Sequence, residues 1–296
     1  VVATDDYTAS GWPALARRVQ DAGFDTLLVA DHYGNPMACT PLIAAAAAAT
    51  STLRVGSYVY CNDFRHPALV AKEVATMDVL SAGRVEFGIG AGWSKEEYDQ
   101  VGVPFDQPRL RADRLEEAVE LILRVLGGGT VSFEGAHYRL DDYPALPKTV
   151  QDRVPLLIGG GGPRMIRLAA RHADIYGLTP RSLPQGGLDP ADFAADAVER
   201  KLQVLAQALD AEDRPPEDLE VSALVFGIYR TPEECPRNGW IPPELVSESP
   251  LALVGGPDRV ADTLYQRRQQ LNLSYYVCFA SDLDRMEPIV AAVKDR

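Results

Sequence analysis

The feature that most constrains this chain is an alternation. Short runs of apolar and β-branched residues are followed, again and again, by longer stretches with helical spacing. That order predicts a parallel sheet covered by helices, because parallel strands need long crossovers and helices supply them. The strand candidates fall at 1–3, 26–29, 54–60, 85–90, 155–158, 175–178, 219–229 and 274–279. Eight such units predict an α/β fold, a (β/α)8 TIM barrel, as a single domain over 1–296. A barrel of this kind needs about 250 residues. The clearest helix is 109–126, where Leu115, Ala118, Val119, Ile122 and Val125 share one face. Asp189-Pro190 has the chemistry of a helix start, with the helix then running towards Leu209. Two stretches depart from the repeat. Residues 130–140 read as a hairpin insertion, and 182–250 as a variable substrate region. Within the latter, 231–250 is rich in Pro and Glu, either a lid over the barrel mouth or a long surface connection.

Composition excludes several classes. A net charge of -13 is opposite in sign to what nucleic acid or an anionic membrane requires. Cys39, Cys61, Cys235 and Cys278 are scattered without a C-x-x-C pair, so neither zinc nor a disulfide framework is expected and a reducing cytoplasm fits. The apolar run at 44–49 is far shorter than the ~20 residues of a spanning helix. His66, His137 and His172 lack metal-ligand spacing, and no metal is expected.

In a parallel barrel the chemistry sits where strands run into the following loops, since those loops converge on one mouth. That rule selects Asp31 and His32 after the second strand, 61–65 after the third, Ala91, Gly92 and Trp93 after the fourth, and 159–162 after the fifth. His32 can exchange protons near neutral pH, with a neighbouring carboxylate such as Asp31 fixing its tautomer, or it is a structural histidine bonded to backbone. Asp31 can equally cap a loop. Gly160, Gly161 and Gly162 lead into Pro163 and a helix, where backbone N–H groups and the positive helix end can hold a phosphate, with Arg164 adding charge. The same run can instead be a plain tight turn. The segment 88–93 lacks the third glycine of a dinucleotide fingerprint and sits in the wrong fold context, which excludes a Rossmann reading. Its small residues admit a flat ring near the backbone. Trp93 either stacks on that ring or packs at the mouth, and Ser94 with Glu97 reads as a capping box.

The segments 23–32, 54–59, 62–67, 155–163 and 253–255, and above all Leu80-Ser-Ala-Gly-Arg-Val-Glu-Phe-Gly-Ile-Gly-Ala-Gly-Trp93, together resemble the bacterial luciferase-like monooxygenase superfamily. The Asn-Asp-Phe-Arg-His-Pro stretch at 62–67 is most similar to its F420-dependent oxidoreductase subgroup. The resemblance implies Asp31 and His32 beside the reactive face of the ring and a non-prolyl cis peptide at Tyr58 and Val59 pressing on it. It further implies Asn62 near the ring edge and the cofactor phosphate at Gly160 to Gly162. Sugar-phosphate dehydrogenases of this superfamily carry a glutamate where Trp93 stands, which argues against their substrate. Three functions follow as expectations. The first is hydride transfer between coenzyme F420 and a small organic substrate. The second is an FMN-dependent monooxygenase fed reduced flavin by a reductase partner, and the third a flavin-binding barrel without catalysis. By analogy a homodimer is expected.

Overall fold

Short, near-continuous runs of apolar and small residues form strands that are largely buried on both faces. In the computed structural model, which describes residues 1–294, these are β1 Val2–Ala3, β2 Thr26–Val29, β3 Arg54–Ser57, β4 Val85–Gly90, β5 Leu156–Gly159, β6 Ile175–Leu178, β7 Glu220–Val225 and β8 Leu273–Cys278. Each pairs in parallel with the next in sequence. A single parallel bridge from Val2 to Phe279 joins the last strand region to the first, so the eight-stranded barrel is nearly closed.

Strand alternation sorts the side chains into two layers. Val2, Leu28, Ala30 and Val277 cluster inside the barrel with Tyr58, Leu224 and Tyr275 beside them. Leu27, Val29, Val55, Phe87 and Ile89 belong to the outer core under the helices. Those helices are α1 Gly11–Asp21, α2 Cys39–Ala49, α3 Pro67–Leu80, α4 Lys95–Val101, α5 Pro108–Leu126, α6 Pro163–His172, α7 Ala195–Ala211, α8 Pro257–Leu271 and α9 Leu283–Lys294. Among the described residues no helix is long and apolar enough to cross a membrane.

At the end of the barrel away from the mouth, the Arg84 guanidinium gathers the last turn of α2, the loop that follows it and the end of α3. It donates to the carbonyls of Ser81 (2.8 Å), Leu53 (2.6 Å), Ala47 (2.8 Å) and Thr50 (3.2 Å). Arg84→Ala strands these acceptors and is expected to cost about 2–4 kcal/mol in urea unfolding, since bonds to charged donors exceed neutral ones in strength.

Several sequence expectations need correction. The third strand stops at Ser57, just before the cis Tyr58–Val59 peptide, and the chain then resumes as a short strand, Tyr60–Cys61, paired with β4. The run expected over 219–229 divides. Ile228–Tyr229 leaves the barrel to pair with Leu253–Val254. Asp189 caps only a 3-10 turn, Pro190–Phe193, through a bond from the Ala191 N–H. Extended backbone at Ala194 then separates that turn from α7. The hairpin pairs Gly129–Glu134 with Arg139–Ala145, and the Glu117 carboxylate pins its tip by accepting from the N–H groups of Ala136, His137 and Tyr138.

Candidate active site

Loops at the C-terminal ends of the strands enclose a cavity of ≈1320 Å³. A single drug-sized ligand commonly occupies about 300–1,000 Å³, so a cofactor head and a substrate can share this space. Asp31, His32, Tyr58, Val59, Ala91, Gly92, Trp93, Gly160, Gly161, Gly162 and Arg164 all line it. Of the 61–65 cluster singled out in the sequence, Cys61 and Phe64 are on the cavity wall, whereas Asn62, Asp63 and Arg65 are not.

Beyond the cis bond, the Val59 side chain lies across a floor of glycines. A Cβ on Gly88 would stand 2.8 Å from Val59 Cγ1, and one on Gly90 would stand 2.9 Å from Cγ2. Both distances are shorter than real Cβ atoms tolerate, so these two positions must be glycine for Val59 to project where it does.

His32 and Glu97 form the central polar pair. Nδ1 of His32 lies 2.8 Å from Oε1 of Glu97, and the other carboxylate oxygen accepts from the Tyr33 N–H at 3.1 Å. An ionised carboxylate there keeps the proton on Nδ1 and leaves Nε2 as an acceptor. The Trp93 ring stands edge-on to the imidazole with centroids 5.6 Å apart.

This arrangement corrects two expectations. Asp31 is not the partner of His32, because both its oxygens are taken by Arg65 at 2.6 and 2.9 Å, and Oδ2 also accepts from the Cys61 N–H. Ser94 and Glu97 form no capping box: Ser94 makes no side-chain cap bond, and Glu97 is turned towards β2 instead. Glu97 was visible only as a helix-start acid, since nothing in its spacing points to a histidine 65 residues earlier.

In the 62–67 motif Phe64 lines the cavity, whereas Asn62, Asp63 and His66 are architectural. Asn62 turns away from the cavity and donates to the Tyr138 hydroxyl at 3.0 Å, which corrects its expected place at a ring edge. Asp63 holds Arg114 through two bonds, and Nδ1 of His66 accepts from the Ala68 N–H at the start of α3. Together these contacts tie the loop after β3 to the hairpin, to α5 and to α3.

The glycine run is anchored from below. Gly160 donates to Gly177 O and accepts from the Tyr176 hydroxyl, while a Cβ on Gly161 would stand 2.3 Å from Thr179 O. Gly162 is the N-cap of α6, has no side-chain cap, and a Cβ there would meet nothing within 4 Å. An uncapped ten-residue helix opening onto a cavity presents N–H groups and partial positive charge to an anion. Arg164 does not add free charge here. Its guanidinium is held by Glu116 at 2.6 Å and Asp113 at 2.6 Å, which raises its pKa and lowers that of Asp113. Arg111, also on the cavity wall, is instead bound by the carbonyls of Asp106, Ala91 and Gly92, so its charge is not cancelled by a carboxylate in this set.

Residues 8–238 match the model of the luciferase-like monooxygenase family. The chain belongs to that family. Among its relatives, an F420-dependent glucose-6-phosphate dehydrogenase of Nakamurella multipartita is 33% identical over 178 residues, 57% of this chain and 52% of the relative. A 5,10-methylenetetrahydromethanopterin reductase of Archaeoglobus fulgidus is 32% identical over 155 residues, 52% of this chain and 45% of the relative. The aligned stretch thus spans about half the length of these luciferase-like relatives. Among solved structures, the coenzyme F420-dependent tetrahydromethanopterin reductase of Methanopyrus kandleri superposes with a TM-score of 0.79 at 19% identity, covering 99% of this chain and 96% of that one. An F420-dependent secondary alcohol dehydrogenase gives 0.78 at 19%, covering 98% and 97%. These superpositions establish the barrel as the luciferase-like fold.

Proposed function

We propose that this luciferase-like barrel is an oxidoreductase that binds coenzyme F420 and passes a hydride to or from a small organic substrate. The observation that carries the reading is the His32–Glu97 pair, set on the same cavity wall as Val59 and the uncapped start of α6. The cavity fits a phosphorylated tricycle. The Val59 ledge and the small residues Ala91 and Gly92 suit a flat ring, and Gly161, Gly162 and the first turn of α6 suit its phosphate.

When bound, F420 supplies a ring carbon able to accept or give a hydride; the protein positions it and excludes water. Nε2 of His32 holds or takes the proton of the substrate oxygen, and Glu97 keeps the imidazole in the tautomer for that task. Arg65 fixes Asp31, and Arg111 fixes the carbonyls of 91–92, so both loops are braced beneath the reacting groups. The segment 231–250 roofs the mouth, the chain forms one (β/α)8 domain, and a separate F420-dependent oxidoreductase returns the cofactor to its starting redox state, a reductase where the substrate takes the hydride.

Titration of the purified protein with F420 and with FMN, followed by quenching of cofactor fluorescence, tests this. Saturable F420 binding with anaerobic, substrate-dependent loss of F420 absorbance is expected. FMN binding with substrate-linked oxygen uptake would replace the reading by a monooxygenase, and binding of neither would remove catalysis with these cofactors.

A further inference from the structure

The charges on the cavity wall are sorted by side. Its arginines are Arg109 and Arg111 on α5, Arg164 on α6, and Arg181 after β6, the last held by Asp189 at 2.6 Å. With the uncapped start of α6, Arg109 and Arg111 make the α5–α6 side the place for an anion. In the barrel order β8 and β1 stand opposite β4 and β5. There β7, β8 and the segments that follow them contribute Leu224, Phe226, Trp240, Phe279, Ser281 and Asp282 to the wall. Among the described residues this side adds one charge, and it is negative.

Around that charge the rings are set at steep angles. Trp93 and Trp240 are 6.2 Å apart at 76°, Trp240 and Phe226 6.1 Å apart at 59°, and Phe226 and Phe279 6.2 Å apart at 66°. Rings so inclined wall a box rather than form a stack, and the electron-rich faces of such a box attract an onium group. Trp240 is 52% exposed, yet the segment that carries it is anchored. Ile241 and Val246 are buried, and Arg267 holds the carbonyls of Ser249, Pro250 and Ala252. The indole is therefore presented to the cavity from a fixed support.

Asp282 closes the box. It ends a 3-10 turn, Ala280–Asp282, that starts directly after Phe279, and its N–H donates to the Phe279 carbonyl at 3.0 Å. Its side chain is only 16% exposed, and its ion pair is with Arg285 at 3.2 Å, a side chain 58% exposed and drawn towards solvent. Burial pushes the Asp282 carboxyl up, and Arg285 offsets this only in part. A desolvated carboxylate with one loosely held partner gains from a second cation, and the cavity is the side from which one can arrive.

We propose that this wall is a subsite for a cationic nitrogen: an ammonium group, quaternary or protonated, seated among Trp93, Trp240, Phe226 and Phe279 with Asp282 as its counter-ion. As a statement about the substrate it rests on the oxidoreductase reading above; as a statement about binding it stands without it. Trp93 touches the imidazole of His32 on one side and Trp240 on the other, so the ammonium group sits one indole beyond the reacting position. Anionic parts are held on the α5–α6 side and cationic parts on the β7–β8 side. The cavity thereby orients a substrate by the sign of its charge.

Calorimetric titration with choline and with its uncharged isostere 3,3-dimethylbutan-1-ol, on the protein alone and with F420 present, tests it. Choline is expected to bind saturably and at least tenfold more tightly than the alcohol, since the two differ in charge and hardly in shape. Asp282→Asn should weaken choline at least tenfold and leave the alcohol unchanged. Trp240→Ala should weaken choline to a similar degree, and Trp240→Phe should restore most of the affinity. Circular dichroism of all the variants should match that of the parent protein. Silence with choline, equal affinity for choline and the alcohol, or an unchanged choline affinity in either Asp282→Asn or Trp240→Ala would overturn the proposal. Failure of F420 to bind would instead count against the oxidoreductase reading, and the choline titration on the protein alone would still decide the subsite.

Discussion

Replacing His32 with alanine is expected to slow turnover by about 10²–10⁴-fold, the usual contribution of a positioned acid–base group. F420 affinity should hardly change. The imidazole is one-quarter exposed and touches Glu97 and Trp93 rather than the phosphate end of the cavity, so its removal takes away a proton carrier and little binding surface. Glu97→Gln separates orientation from charge. An amide can donate to Nδ1, which turns the ring to the opposite tautomer and leaves Nε2 carrying a proton it should be accepting. A loss of about 10–100-fold in turnover is expected, typical of a residue that orients its neighbour. The check is single-turnover reduction of F420 by substrate in the three proteins; full rates in both variants would take proton transfer away from this pair.

The second large effect is a split between stability and binding at Gly162. Its backbone is already extended, at φ -88° and ψ 150°, and a side chain there has open space. Gly162→Asp therefore places a favoured N-cap residue on α6 without strain. Because glycine is itself a fair cap, the gain over it is only a few tenths of a kcal/mol. The same carboxylate occupies the N–H groups proposed for the cofactor phosphate and repels it. Affinity for F420 is expected to fall at least tenfold, or about 1.4 kcal/mol, while Tm stays level or rises. Thermal unfolding without cofactor and fluorescence titration with it measure the two halves separately. Equal losses in both would mean that Gly162 is needed for folding rather than for the anion.

Much of this was readable from sequence because it follows from local pattern. Strands such as 26–29, 85–90 and 175–178, and the helix 163–172, have periodicity and end signals contained within themselves, and they fall where expected. Placing chemistry at strand ends brought Asp31, His32, Trp93 and Gly160 to Gly162 to one cavity. What was missed depends on side chains meeting across long separations. Arg65 claims Asp31 from 34 positions away, and Glu97 reaches His32 from 65. Asn62 was assigned to the cavity because it follows the third strand and because the family resemblance put it near a ring edge, but a 3-10 turn at Asn62–Phe64 carries its side chain to Tyr138 of the hairpin. Trp240 gave no signal, since an isolated tryptophan in a Pro-rich stretch has no period to reveal which way it points.

The central claim is that these loops jointly seat a planar tricycle and its phosphate. A crystal structure of the protein with bound F420 tests it most directly. The account predicts the ring against Val59, its reactive carbon facing the His32 side, and the phosphate within hydrogen-bonding distance of the backbone at 161–164. A tricycle outside this cavity, or a phosphate bound away from the start of α6, would contradict it.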